Sequence, residues 1–318
     1  MAADFKYSYL LENCTLCPHK CGVNRFKNRK GFCNAYADLE ISTMLPHFGE
    51  EPPISGNKGS GTIFFKHCNM KCVYCQNFQI SQECDNLSSN KEDTLKIEDC
   101  MLKLQDLGCH NINLVSPTIW IPHIIDALSS LGTKVNGLKI PVVYNSGGYE
   151  DPETVKLLEG FIEIYMPDMR YSRNESAYKY SGVKNYVENN RRSLIEMYRQ
   201  VGGLKTDNNG IALSGLMVRL LILPDNVREI KESLDFIKYE LSTDVYISIM
   251  SQYKPLYKAL LHPEINRLID QDEYTKIVNY VEKLGFYSGA IQEFEELEHE
   301  KDLFIPDFAN KDVFKFKK

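Results

Sequence analysis

Cys68-Asn69-Met70-Lys71-Cys72-Val73-Tyr74-Cys75 places three thiols within eight residues, spaced C-x3-C-x2-C. The stretch follows Thr62-Ile63-Phe64-Phe65, an apolar, β-branched and aromatic run that reads as a strand. The thiols therefore sit on a short loop leaving that strand. Thiolates are the usual ligands of iron–sulfur clusters, and a [4Fe-4S] cubane normally takes four of them. A loop offering three leaves one iron open to another ligand. The competing reading is a structural zinc site, which closes with four ligands; His67 or Cys84 would supply the fourth.

Around this loop the composition is that of an ordinary globular protein: 318 residues, 43% hydrophobic and 25% charged. That length accommodates one large α/β domain with a small appendage, or two medium domains. Thirty-seven basic and 43 acidic residues leave a net charge of −6, and no long basic run appears, which disfavours nucleic acid as a partner. No apolar run approaches a membrane span, and Met1-Ala2-Ala3-Asp4-Phe5-Lys6 has no apolar signal region, so the expectation is a soluble, cytoplasmic protein without a membrane partner. All ten cysteines lie at or before Cys109. In such a chain clustered thiols point to metal binding or redox chemistry rather than to a disulfide framework.

Cys14, Cys17, Cys21 and Cys33 form a second constellation, C-x2-C-x3-C-x11-C, with Pro18 and Gly22 shaping turns between them. A turn-rich segment too small for its own core is expected to fold with the help of a metal. Zinc and an auxiliary [4Fe-4S] cluster both fit, and His19 is read as a bystander. The expected organisation is a Cys-rich N-terminal segment over 1–45, a Pro/Gly-rich loop over 46–61, a core over 62–290 and a C-terminal extension over 291–318. Loops of that length are often functional, so His47, Glu50 and Glu51 are candidates to reach an active site.

Beyond the cysteine loop, strands and helices alternate. Strands are predicted at Ile112–Val115, Pro141–Tyr144, Ile162–Met166, Leu216–Leu223 and Val245–Met250. Helices with apolar residues at three and four spacing are predicted over Ile97–Leu107, Pro122–Leu131, Pro152–Leu158, Val187–Tyr198, Val227–Leu241 and Glu273–Leu284. With the strand before the cysteines this makes six strands, and such alternation implies an α/β fold with a parallel sheet and right-handed crossovers. Arg219 interrupts an apolar strand. A charge there needs a partner, either a protein carboxylate such as Asp168 or a ligand carboxylate held through two parallel hydrogen bonds.

The cysteine triad, with Tyr74 before its last member, resembles the signature of the radical S-adenosylmethionine (SAM) superfamily. The resemblance is nearest to pyruvate formate-lyase-activating-enzyme-like proteins, in the branch termed PflX-like. It rests on Cys14-Thr15-Leu16-Cys17-Pro18-His19-Lys20-Cys21, Gly49-Glu50-Glu51-Pro52-Pro53-Ile54-Ser55-Gly56, Cys72-Val73-Tyr74-Cys75-Gln76-Asn77, Tyr144-Asn145-Ser146-Gly147-Gly148-Tyr149-Glu150, Tyr165-Met166-Pro167-Asp168-Met169-Arg170 and the Arg219 strand ending in Pro224. It implies a partial TIM-like (β/α)6 barrel carrying the small Cys-rich N-terminal metal-binding segment. It further implies a [4Fe-4S] cluster on Cys68, Cys72 and Cys75 whose open iron holds SAM, and reductive cleavage of SAM to abstract hydrogen from a protein, peptide or small-molecule substrate. Activation of a glycyl-radical enzyme, a flavodoxin or ferredoxin-type electron donor and an anaerobic setting also follow from the resemblance.

In barrels of this kind function gathers at the strand ends. The SAM-binding candidates are accordingly Tyr74, Ser116, Thr118, Asn145, Ser146, Asp168 and Arg219. Two departures bear on glycyl-radical activation. Ser116-Pro117-Thr118 stands where established activases carry a Gly-Gly-Glu-like stretch, and the four extra cysteines precede the triad instead of following it. The rival from another class is a non-catalytic iron–sulfur electron carrier or a metal-binding interaction module.

Overall fold

The computed structural model describes residues 5–84, 96–132, 137–294, 305–310 and 313–314. Nine strands build its sheet: β1 (Ile41–His47), β2 (Ser60–Phe65), β3 (Ile112–Val115), β4 (Val142–Ser146), β5 (Ile164–Pro167), β6 (Lys205–Thr206), β7 (Ala212–Leu221), β8 (Tyr246–Met250) and β9 (Gly289–Ile291). Their order in the sheet is β1-β2-β3-β4-β5-β7-β8-β9, with β6 attached to β7 alone. From β2 to β9 every neighbouring pair on this path is parallel and follows chain order, so the sheet is wound in one direction. All six strands expected from the sequence are among them.

Side chains alternate across each strand with period two, and the alternation separates two compartments. Ile63 and Phe65, Ile112 and Leu114, Val142 and Tyr144, Leu216, Val218 and Leu220, and Ile247 and Ile249 turn towards the helices and form the main apolar core with Trp120, Leu194 and Ile277. The intervening residues face inward. Phe64, Val115, Asn145, Arg219, Leu221 and Met250, from five strands of the sheet, all line one cavity. A flat sheet cannot bring such residues around one space, so the sheet curls into an open, partial barrel.

The helices behave as their sequences direct. Gln271–Leu284 begins with a capping box, Asp270 and Glu273 each bonding the other's backbone, and ends at Gly285 in the left-handed region. The helix expected over Val227–Leu241 is α-helical only to Phe236 and continues as a π-helical turn, Ile237–Leu241. An additional helix, Asn174–Ser181, was not anticipated; it ends at Gly182 in the left-handed region.

The expected Pro/Gly-rich loop over 46–61 is in part regular structure. β1 runs through Pro46 to His47 and pairs antiparallel with β2, and Pro52–Ser55 forms one helical turn. Proline is tolerated in β1 because that strand is the edge of the sheet. The expected C-terminal extension over 291–318 lies partly outside the described residues; Phe308 and Phe314 pack against Phe64 of β2. Among the described residues no helix is long and apolar enough to cross a membrane.

The N-terminal segment is clamped to the barrel by charged side chains. Buried Arg25 donates to the carbonyls of Tyr36 and Ile119 and lies 4.8 Å from the Trp120 ring. Lys20 pairs with Asp151 at 2.8 Å, and His19 bonds the Asn69 carbonyl of the cysteine loop at 3.0 Å while stacking on Phe32.

Candidate active site at the rim of the barrel

The cysteine loop leaves β2 through His67, which holds φ +66°, a left-handed conformation that non-glycine residues adopt only under local constraint. The constraint is visible. The His67 backbone N–H donates to Ile80, and its ring meets Glu40 Oε1 at 2.9 Å through Nε2 and Cys84 Sγ at 3.6 Å through Nδ1. The two candidates for a fourth zinc ligand, His67 and Cys84, therefore bond one another. Cys68, Cys72 and Cys75 line the cavity, of about 200 Å³, and His67 and Cys84 do not.

Each of the three sulfurs has its own polar contact. Met70 N–H donates to Cys68 Sγ at 3.4 Å, Ser181 Oγ–H donates to Cys72 Sγ at 3.0 Å, and Ser81 Oγ lies 3.3 Å from Cys75 Sγ. Burial, reinforced by the neighbouring Cys72, pushes the Cys68 thiol up to about 12 and the Cys75 thiol up to about 11. Among the described residues no group of three or more His, Cys, Asp or Glu side chains is gathered so that it could hold a metal ion. The loop thus presents three thiols to one cavity, and a metal centre would have to draw them together and bind them as thiolates. The donor set suits an iron–sulfur cluster: three soft thiol ligands on one loop, with no fourth thiol among the described residues lining the same cavity, whose imidazole, His47, comes from the end of β1.

Opposite the thiols lies a buried charge network. Arg219 projects inward from β7; its Nε donates to Asp168 Oδ1 at 2.9 Å, one terminal nitrogen donates to Asn145 Oδ1 at 2.7 Å, and the other lies 3.5 Å from Glu50 Oε2. Arg170 pairs with the other oxygen of Asp168. Burial opposes the Arg219 charge, but Asp168, Glu51 and Glu50 around it hold the guanidinium protonated. Burial also raises the carboxyls of Glu50 and Glu51, against the pull of Arg219. Glu50 receives Asn113 Nδ2–H at 2.9 Å and lines the cavity.

Of the SAM-binding candidates, Tyr74, Ser116, Asn145, Asp168 and Arg219 line the cavity, and Thr118 and Ser146 do not. Ser146 follows Asn145 on β4, so the alternation that aims Asn145 inward aims Ser146 outward; its Oγ accepts the Gly148 N–H. Thr118 begins a 3₁₀ turn, Thr118–Trp120, and donates to Glu150 Oε1 at 2.8 Å. Arg219 is held on the protein's own Asp168. Cys14, Cys17, Cys21 and Cys33 are not among the residues that line the cavity; Cys14, Cys17 and Cys33 are buried and Cys21 is exposed. Arg170, Gln252 and Tyr253, strand-end residues outside the SAM-binding candidates, also line the cavity. Their position just past β5 and β8 was the available signal.

The paired glycines after β4 have a steric reason. A Cβ on Gly147 would stand 2.7 Å from Met70 Sδ, and one on Gly148, at φ +73°, would stand 2.0 Å from the Asp168 carbonyl oxygen. The cysteine loop and β5 thus close directly onto the end of β4.

Glu150 is the buried acid behind this wall. Burial pushes its carboxyl up to about 7, against the hydroxyls of Thr118, Tyr144 and Ser146 that donate to it. The folded chain therefore holds a proton there that the unfolded chain, with its ordinary carboxyl, releases near 4.5. Between these two values the folded state binds more protons, so stability falls as pH rises from about 4.5 to about 7, by on the order of 3 kcal/mol. Glu150→Gln is expected to remove this contribution. Urea midpoints at pH 5 and pH 8 check it: the wild type is expected to lose more stability between them than the variant, and equal losses would refute the assignment.

No protein-family model matches the chain. It is 33% identical over 286 residues to the uncharacterized protein MJ0674 of Methanocaldococcus jannaschii, an alignment covering 86% of this chain and 75% of that protein. The chain belongs to the MJ0674 family. Among solved structures it is similar to Streptococcus suis SuiB bound to S-adenosylmethionine (TM-score 0.46, 14% identity, 71% of this chain and 48% of that one). It is also similar to anSMEcpe with bound AdoMet (0.43, 13%, 68% and 54%) and to HydG, a maturase of the [FeFe]-hydrogenase (0.45, 14%, 73% and 51%). This member of the MJ0674 family spans about half the length of each of those structures.

Proposed function

We propose that this MJ0674-family chain is a radical SAM enzyme, with Cys68, Cys72 and Cys75 as ligands of a [4Fe-4S] cluster and SAM as the ligand of its open iron. The observation that carries the reading is the disposition of His67 and Cys84. The two neighbours of the loop read as candidates for a fourth zinc ligand are bonded to one another, His67 further to Glu40 and Cys84 to the Ile80 carbonyl, while three thiols remain on the cavity. Held by Cys68, Cys72 and Cys75, such a cluster would supply the one-electron reduction of SAM that yields methionine and the radical chemistry of hydrogen abstraction. A second support is electrostatic. Glu50 and Asp168 offer carboxyl groups at the cavity wall beside the guanidinium groups of Arg219 and Arg170, a mixed set that suits a ligand carrying both an ammonium and a carboxylate, as SAM does.

In this reading the chain's own groups bind and orient. Tyr74 offers a ring at the cavity wall, Ser116 and Asn145 offer polar atoms at the ends of β3 and β4, and the Asp168–Arg219 pair stiffens the wall from which Asn145 projects. Phe314, packed on His47 and Phe64, contributes an aromatic ring to the cavity lining. The substrate class is a protein, peptide or small molecule that yields a hydrogen atom; a glycyl-radical enzyme, as for the PflX-like branch, is one such partner. A flavodoxin or ferredoxin-type donor in an anaerobic cytoplasm would supply the electron. The test is anaerobic reconstitution followed by SAM and dithionite. Release of 5'-deoxyadenosine is expected; a fully loaded, reducible cluster that leaves SAM intact would instead mark an electron carrier.

The N-terminal cysteines are proposed as a separate metal centre. Cys14→Ala with Cys17→Ala is expected to remove that centre and loosen residues 5–40, leaving the iron and sulfide of the triad in place. Metal analysis of the wild type distinguishes its contents: a second set of iron and sulfide for an auxiliary cluster, or about one zinc per chain, the usual content of a four-ligand site.

A further inference from the structure

A row of buried hydroxyls ends on one of the three sulfurs. Tyr74 Oη lies 2.6 Å from Tyr171 Oη, Tyr171 Oη lies 2.7 Å from Ser181 Oγ, and Ser181 Oγ donates to Cys72 Sγ at 3.0 Å. All four side chains are nine-tenths or more buried. Three different parts of the chain supply them: the cysteine loop, the segment after β5, and the last turn of the helix Asn174–Ser181. That helix end is fastened to the loop by its backbone as well, since Lys71 N–H donates to the Ser181 carbonyl and Val73 N–H to that of Tyr180.

The direction of the row follows from proton counting. A hydroxyl carries one proton. Ser181 gives its proton to sulfur, so it accepts from Tyr171; Tyr171 has then spent its own proton and accepts from Tyr74. All three O–H bonds point at Cys72. Aligned hydrogen bonds strengthen one another by about 10–30% per bond. Among the described residues Cys68 and Cys75 have no comparable row: the former receives a backbone N–H and lies 3.7 Å from Asn69 Oδ1, and the latter faces the hydroxyl of Ser81. The far end of the row reaches the cavity, where the Tyr74 ring lies 5.9 Å from the Arg170 guanidinium carbon.

We propose that Tyr74, Tyr171 and Ser181 form a directional hydroxyl relay that stabilises electron density on the Cys72 sulfur and thereby raises the reduction potential of the cluster on this loop. The proposal rests on the cluster reading above. Its physical basis is that hydrogen bonds to ligand sulfurs favour the reduced, more negative state of an iron–sulfur centre. Tyr171 and Ser181 touch neither cavity nor substrate, so they are positioning residues, and a redox potential is the property they are expected to move.

The experiment uses the full-length chain, reconstituted anaerobically, as wild type, Ser181→Ala and Tyr171→Phe. Iron and sulfide are counted first, and the reduced cluster is then followed by electron paramagnetic resonance during titration with dithionite. Ser181→Ala is expected to lower the reduced-to-oxidised ratio at a fixed potential about tenfold, the loss of one hydrogen bond to a charged acceptor. For a one-electron couple that is a shift of about 59 mV to more negative potential. Tyr171→Phe is expected to shift the couple the same way by less, because Ser181 still donates. Full cluster content with unchanged potentials in both variants would overturn the relay. Should Ser181→Ala fail to hold iron, Tyr171→Phe decides, and an unshifted potential there overturns it equally. A wild type that takes up no iron and sulfide would overturn the cluster reading itself, and the relay with it; the metal count tells this outcome from the loss of the relay alone.

Discussion

Replacing Cys68, Cys72 and Cys75 together with alanine is expected to abolish reductive cleavage of SAM, leaving 5'-deoxyadenosine at the level of a protein-free control. The expectation is all-or-none because, among the described residues, no other cysteine lines the cavity. His67 is bonded to Cys84 and Glu40, and Cys84 also to the Ile80 carbonyl, and the N-terminal cysteines do not reach the cavity wall. Cys100 and Cys109, buried in the main core beside Met101 and Leu104, are expected to be dispensable for cleavage, and Cys100→Ala serves as the control. Cleavage product from the triple variant, measured by chromatography under strict anaerobiosis, would show that the triad is not the site.

The largest effect on stability is expected at Arg219. Arg219→Leu removes the cation from between Asp168, Glu50 and Glu51. Breaking a buried ion pair by deleting one partner costs on the order of 3–5 kcal/mol, because the remaining charge is left uncompensated. The carboxylates can relieve that penalty by taking up protons, so the loss is expected to grow from pH 5 to pH 8. Arg219→Lys keeps the charge but cannot bond Asp168 and Asn145 at once through a rigid fork, and a smaller loss is expected. Urea midpoints with and without SAM separate the two roles open to this residue. A lowered midpoint in both conditions with unchanged SAM affinity assigns Arg219 to the barrel wall. An unchanged midpoint with weakened SAM affinity would assign it to the ligand.

Much of this architecture was legible in the sequence because a parallel sheet writes itself as buried β-branched runs separated by helices. Ile112-Asn113-Leu114-Val115 and Val142-Val143-Tyr144 carried that signal and became β3 and β4. β1 was hidden by Pro46 and by the glycines and prolines that follow it, which read as a loop until the edge position of the strand is known. The helix Asn174–Ser181 was missed because its Asn, Ser and Tyr content gives no apolar stripe. At the site, Asn145 and Ser146 looked equivalent as polar strand-end residues; strict alternation would have told them apart. Thr118 could not be placed without the turn that swings it to Glu150. Glu50 and Glu51 were candidates from their loop alone, and what aims them at Arg219 is the curl of the sheet between β1 and β7, a contact spanning 169 positions from Glu50 that no local pattern encodes.

The central claim is that the triad holds a cluster with an iron left open for SAM. It is tested most directly by the electron paramagnetic resonance spectrum of the reduced, reconstituted protein recorded before and after SAM is added. Binding at the open iron is expected to change the g values and line shape of the cluster, and the same addition to Cys68→Ala/Cys72→Ala/Cys75→Ala protein is expected to give no such signal. A wild-type [4Fe-4S] signal that SAM leaves unchanged at saturating concentration, or a loop that returns zinc in place of iron and sulfide, would contradict the account.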